Sequence, residues 1–292
     1  MSSEIPSRFA SVFRDDLFVG RVVVVTGGGS GIGRCIAHEL AALGAHVVIM
    51  GRTESKLEAV AAEITEDGGA CTYTTCDIRE EDQVRDAIAW VVAEHDRIDG
   101  LVNNAGGQFP SSMEAMSTKG FNAVIRNNLV GTFTMMRETY TQAMKGRGGS
   151  IVNITAEHRN GFPTMAHTGA SRAGVSNLTM TAAIEWGNDG VRVNEVAPGT
   201  TWSSGYDNYD ADFQAVFRGM AGGAPLGRLA TESEVSAAVC FLLSDASAFT
   251  TGASLWIDGG SSKASHRLWP LAAHDGAPVF HAFHRGTTAP TD

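Results

Sequence analysis

Residues 22–37, VVVVTGGGSGIGRCIA, constrain this chain more than any other stretch. Four successive valines carry no polar alternation, as expected of a strand covered on both faces. Gly27, Gly31 and Gly33 then form a T-G-x-x-x-G-x-G turn, completed by Gly29, Ser30 and Ile32, and a helical pattern follows directly. A strand, a glycine turn and a helix in that order bring backbone N–H groups and a helix N-terminus against a pyrophosphate. Alone, such a turn is a weak signal; its value depends on what surrounds it.

The surroundings repeat the pattern. Strand-like runs RVVVVTG, AHVVIMG, CTYTTCD, IDGLVNNAG, GGSIVNIT, VRVNEVAPG and ASLWIDGG alternate with six helical segments, including one from Gly120 to Met144 and one from Gly169 to Trp186. Seven strands interleaved with helices predict an α/β fold: a single domain with a doubly wound, parallel, seven-stranded sheet of Rossmann type. We divide the chain into an N-terminal extension (1–20), a dinucleotide-binding catalytic domain (21–260) and a C-terminal tail (261–292). Residues 200–228 follow the end of the sixth strand, where ligands bind in such sheets, and are expected to form a substrate loop. Trp269, Phe280 and Phe283 suggest that the tail packs on the domain or on a neighbouring subunit.

The second strand ends in Gly51-Arg52-Thr53. An NAD site usually places a carboxylate there for the ribose diol, whereas a guanidinium suits a 2′-phosphate, so Arg52 and Thr53 point to NADP(H). Asp77 and Ile78 end the third strand at the adenine side, and Asn103-Asn104-Ala105-Gly106 end the fourth. The net charge of −10 opposes nonspecific nucleic-acid binding. The four cysteines form no CxxC pair and lack a histidine at ligand spacing, so no metal is expected. With no apolar signal segment at its start and no run of 18 apolar residues, the chain reads as cytoplasmic, with no membrane association.

TGGGSGIG (26–33), NNAG (103–106), NLVG (128–131), GGSIVNIT, the ASRAG helix and Pro198-Gly199 occur in the order found in the short-chain dehydrogenase/reductase family, which the chain resembles from about Arg21 to Gly260. The resemblance places the family's catalytic tetrad on Asn128, Thr155, Thr168 and Arg172, and further cofactor contacts on Arg172, Pro198, Gly199, Thr201 and Ser203. It also implies a homo-oligomer, a dimer or tetramer. Only the asparagine is unchanged: threonines stand where the family has serine and tyrosine, and Arg172 where it has lysine.

That departure bears on the chemistry. Reducing a ketone leaves an alkoxide that needs an acid of matched pKa, and an aliphatic hydroxyl cannot titrate near neutrality. Arg172 is permanently charged and cannot shuttle a proton, but it can hydrogen-bond the nicotinamide ribose and keep positive charge at the reacting centre. Conjugate reduction asks for less, because charge collects on a thioester oxygen that hydroxyl and backbone donors can hold. NNAGGQF, STKGFNAV, GFPTMAHTGASRAGVSNLT and YDNY resemble the peroxisomal trans-2-enoyl-CoA reductase group and its bacterial relatives within the family. This implies an NADPH-dependent reductase of 2-enoyl thioesters, acyl-CoA above all, in fatty-acid metabolism. Gln108, Phe109, Glu157, Tyr206 and Tyr209 are the candidate substrate contacts. Glu157 occupies the position, eleven residues before Thr168, where a dienoyl-CoA reductase branch carries tyrosine. Two other readings stay open: carbonyl or imine reduction with an unusual proton donor, and an NADP-binding protein without redox turnover.

Overall fold

The computed structural model describes residues 6–205, 211–264 and 277–286, with the side chains of 211–213 left aside. Its strands are β1 (Val22–Thr26), β2 (His46–Gly51), β3 (Ala70–Thr75), β4 (Gly100–Asn103), β5 (Gly149–Ile154), β6 (Val191–Pro198) and β7 (Ser254–Ile257). All pair in parallel in the order β3-β2-β1-β4-β5-β6-β7. The fold is therefore the single Rossmann-type domain that the alternating pattern predicts.

The valines of β1 explain their own lack of alternation. Val23 and Val25 enter one core with Ile36, Leu40 and Val239, while Val22 and Val24 enter the other with Ile88, Met135 and Ile151. Helices α1 (Gly31–Ala42), α2 (Glu54–Glu66) and α8 (Glu232–Leu243) contribute to the first core. Helices α3 (Glu81–His95), α5 (Gly131–Thr139) and α6 (Ala166–Trp186) contribute to the second. Both faces of the sheet are thus covered, and each strand can be apolar throughout.

The stretch expected as one helix from Gly120 to Met144 is more elaborate. It starts as α4 (Thr118–Ile125), capped by Ser117 Oγ on Gly120 N, opens into a π turn at Arg126–Val130, continues as α5 and opens again at Tyr140–Met144. π turns admit one extra residue and recur at functional sites; this one contains Asn128. The stretch expected as a loop over 200–228 holds a further helix, α7 (Ala211–Gly219). Both features depend on tertiary packing, which hydrophobic period does not report.

Residues 277–286 lie across the domain. Ser233 Oγ accepts from Ala282 N and Phe283 N at 3.1 and 3.0 Å, Thr231 Oγ1 donates to Phe280 O, and Ala282 and Phe283 are buried. The Phe283 ring rests on His38 and Phe9, joining this segment to α1 and to the start of the chain. Among the described residues no helix is long and apolar enough to cross a membrane.

Candidate active site

The sheet order turns back between β1 and β4, and such a switch point opens a crevice at the strands' C-terminal ends. The Gly turn lies there. Gly27 has φ of +67° and Gly31 +56°. A Cβ on Gly33 would lie 2.4 Å from both Gly27 O and Asn104 Nδ2. Asn104 Nδ2 donates to Thr26 O and Gly27 O, while Thr26 Oγ1 accepts from Asn104 N and Ala105 N. Asn104 and Ala105 therefore tie the end of β4 to the turn.

Ser30 caps α1 by position only, with no side-chain bond, and Gly31 N donates to Ser204 Oγ at 3.2 Å. Beside Gly31 lie Ser203 and the carboxyl of Glu232, which burial pushes up to about 7. Ser204 and Glu232 escaped the sequence reading because they are distant in the chain and belong to no motif. The glycine cradle and the start of α1, where Ser30 makes no capping bond, fit a dinucleotide pyrophosphate, with Ser204 Oγ accepting from the first helical N–H.

At the adenosine end Arg52 and Thr53 are exposed. Asp77 is bound by its neighbour: Arg79 Nε donates to Asp77 Oδ1 at 2.8 Å, holding the carboxyl below its usual range. Arg52 acts electrostatically on the same carboxylate. Two guanidiniums thus face this corner, and Arg79 is a cation that the motif reading passed over. Ile78 is buried against Gly131.

The four positions expected from the resemblance gather around α6. Asn128, Thr155, Thr168 and Arg172 are all buried. Asn128 Oδ1 accepts from Gly107 N at 2.9 Å, and its Nδ2 donates to Gly107 O at 3.1 Å and to Ser171 Oγ at 3.4 Å. Asn128 thereby fastens the loop after β4 to α6. Thr155 Oγ1 makes a long 3.3 Å bond to Val196 O, and Thr168 Oγ1 lies 3.1 Å from His167 Nδ1. His167 is buried against the Phe109 ring, and desolvation lowers its pKa.

Arg172 is the most unusual group. Its Nη1 donates to Ile154 O at 2.8 Å, but its buried Nε meets no hydrogen-bond partner among the described residues. Burial lowers its pKa to about 10, so it remains charged at neutrality, and no carboxylate among the described residues offsets it. Gly106 makes room for it: a Cβ there would fall 2.6 Å from Arg172 Nη2.

The remaining candidates line the approaches. Glu157 N donates to Pro198 O at 2.9 Å, and its Oε1 is buried without a partner among the described residues. Gly199 N donates to Ile257 O, and Thr201 Oγ1 to Gly199 O. Gln108 and Phe109 are exposed on the loop after β4. Thr164, just before α6, has a left-handed φ of +63°, a strained geometry often found near functional sites. Tyr206 and Tyr209 lie outside the described residues. The other two tyrosines do not approach the chemistry: Tyr73 sits in β3, and Tyr140 donates to Asp189 and stacks on Trp186.

Such a fold and cradle define an oxidoreductase that uses a nicotinamide cofactor. A family model described as Enoyl-(Acyl carrier protein) reductase matches residues 27–262. A peroxisomal 2,4-dienoyl-CoA reductase of Danio rerio is 34% identical over 94% of this chain and 90% of its own. A probable 2,4-dienoyl-CoA reductase of Bacillus subtilis is 34% identical over 82% of this chain and 96% of its own. Among solved structures, the citronellol catabolism dehydrogenase of Pseudomonas aeruginosa is 51% identical with a TM-score of 0.78, covering 86% of this chain and 99% of that one. The chain belongs to the short-chain dehydrogenase/reductase family.

Proposed function

We propose that this protein is an NADPH-dependent reductase of α,β-unsaturated acyl thioesters, acyl-CoA above all. The observation that carries this reading is the buried Arg172, with no carboxylate partner among the described residues, one helical turn from an aliphatic hydroxyl where the family has a phenol. Such a pair can stabilise developing negative charge but cannot supply a proton. The relatives named for 2,4-dienoyl-CoA reduction support the same class of substrate.

The crevice and glycine turn would hold NADPH, which when bound would supply the hydride for the β-carbon of the substrate. As that bond forms, the C=C π electrons move toward the thioester and negative charge gathers on its oxygen. In this reading Thr155 and Thr168 hold that oxygen, and Arg172 holds the nicotinamide ribose and offsets the charge. Thr155 gives up its weak bond to Val196 O for this. The α-carbon takes its proton from water, which completes the balance. The acyl chain is held, in this reading, by the described part of the 200–228 segment together with Gln108, Phe109 and Glu157. A homo-oligomer in the cytoplasm completes the proposal.

One neighbour favours a second reading. It is named as a dehydrogenase of citronellol catabolism. Oxidoreduction at oxygen by this chain would then need a proton carrier outside the tetrad. The discriminating experiment follows cofactor turnover with trans-2-enoyl-CoA, 2,4-dienoyl-CoA, 3-ketoacyl-CoA, a free enone and citronellol. Turnover is expected with the conjugated thioesters and little with the ketone or the alcohol. Preference for either of the latter overturns the proposal, and tight cofactor binding without turnover on any of them supports a non-catalytic role.

For the cofactor, NADPH is expected to bind at least about tenfold tighter than NADH, a margin of about 1.4 kcal/mol that a guanidinium on a phosphate readily supplies. Titration of both into wild type and Arg52→Ala checks this. Equal affinities in the wild type, or an unchanged preference in the variant, would rule out Arg52 as the selector.

A further inference from the structure

Where residues 277–286 cross α1 and the end of α2, two histidines and three carboxylates meet. His38 Nε2 lies 3.2 Å from Glu63 Oε2, and its Nδ1 lies 3.3 Å from Asp67 Oδ2. His284 Nε2 lies 2.8 Å from the same Asp67 Oδ2. Both imidazoles are more than nine-tenths buried.

The contacts exceed the protons available to make them. A neutral imidazole has one N–H, yet both ring nitrogens of His38 face a carboxylate oxygen. If Nε2–H donates to Glu63, the bare Nδ1 lone pair faces Asp67 Oδ2; if Nδ1–H donates to Asp67, the lone pair on Nε2 faces Glu63. The His284 nitrogen is similarly contested, since Arg285 Nε points at it from 3.2 Å. A lone pair held against a carboxylate oxygen is repulsive unless a cation lies between them.

We propose that His38 Nδ1, His284 Nε2 and Asp67 Oδ2 bind a transition-metal cation of zinc type, which fastens the 277–286 segment to α1 and α2. The three ligand atoms lie within 4.8 Å of one another. The 3.3 Å between His38 Nδ1 and Asp67 Oδ2 matches the edge of a tetrahedron with metal bonds of about 2.0–2.1 Å. Two imidazoles and one carboxylate select zinc or cobalt over magnesium or calcium. Glu63 takes the outer-shell role of fixing the ligating tautomer by accepting from His38 Nε2. A water completes the coordination.

The neighbouring guanidiniums limit the charge without cancelling it. Arg34 binds both oxygens of Glu63 at 2.7 and 2.8 Å. Arg285 Nη2 donates to Asp67 Oδ1 at 2.9 Å and to Glu66 at 3.2 Å. Glu63, Glu66 and Asp67 against Arg34 and Arg285 leave one negative charge for the cation. On binding, Arg285 Nε leaves Asp67 Oδ2, where it sits at 3.1 Å, and keeps its bonds through Nη2.

The test uses the untagged full chain, stripped with a chelator and dialysed, then titrated with zinc against a chromogenic competitor and separately with cobalt. Wild type should bind about one zinc per chain, with a cobalt visible spectrum of tetrahedral intensity. His284→Gln lies on the crossing segment rather than in the core, so it should fold; it should weaken zinc on the order of a hundredfold or more and remove the spectrum. Glu63→Gln, an outer-shell change, should cost about tenfold. Zinc well below stoichiometry in wild type, or equal binding by His284→Gln, overturns the proposal, and the cluster is then a network of ion pairs only.

Discussion

Exchanging Arg172 for methionine is expected to lower turnover by at least about a hundredfold while leaving the folded chain as stable as before, or more so. Catalytic loss follows because the only buried cation of the tetrad goes, and with it the charge that offsets the developing oxyanion. The stability result has a separate cause. Lowering a guanidinium pKa from its ordinary value to about 10 by burial corresponds to a folding cost of roughly 3 kcal/mol for holding the charge. Methionine keeps most of the length without that cost. Where the folded pKa lies below the unfolded one for a cationic group, the unfolded state binds more protons between the two values, so stability rises with pH there. The wild-type deficit against Arg172→Met should therefore be full at neutrality and shrink as pH climbs through about 10. Urea melts of both proteins at several pH values, with steady-state kinetics, measure both effects. A large stability loss at neutral pH would mean that the guanidinium is structurally compensated, and unchanged turnover would remove Arg172 from the mechanism.

Gly33→Ala carries the second large effect, an expected loss of cofactor affinity of at least about a hundredfold together with a lower melting temperature. Its Cβ would meet Gly27 O and Asn104 Nδ2 at 2.4 Å. The first is backbone, and the second is fixed by its bonds to the turn, so neither can retreat without opening the cradle. Gly187→Ala makes the control: helical φ, and nothing within 4 Å of the added carbon. It should be neutral or slightly stabilising. Equal effects from both substitutions would show that Gly33 matters only through chain entropy.

Both substitutions also mark what a reader of the sequence could see. The glycine turn and the parallel sheet were legible because each follows from local pattern, apolar strands and glycines between strand and helix, whereas Asn128, Thr155, Thr168 and Arg172 were assigned through the family resemblance. The lack of a carboxylate partner for Arg172 among the described residues was not legible, since it depends on which groups from β5, the loop after β4 and α6 surround it. Arg79 was hidden for a different reason: the pattern placed Asp77 at the adenine side, and its ion pair with a residue two positions on is a matter of rotamer. Ser204 and Glu232 reach the phosphate turn from far along the chain. His38, Asp67 and His284 have no ligand spacing at all, and only the crossing of the 277–286 segment brings them together.

The wide turn at Arg126–Val130 couples two parts of the protein that otherwise look independent. Because a π turn holds one residue more than an α turn, everything beyond it is rotated by about 100° relative to an unbroken helix. That rotation lets Asn128 face α6 while Met135 and Met136, less than three turns later, face the second core with Met136 Sδ against Asn153 Nδ2. Site and core thus share one reading frame along this rod. Deleting a single residue between 126 and 130 would restore a regular helix and leave its hydrogen bonds intact, yet swing the two methionines out of the core. Locally more ideal geometry would there yield a globally worse protein.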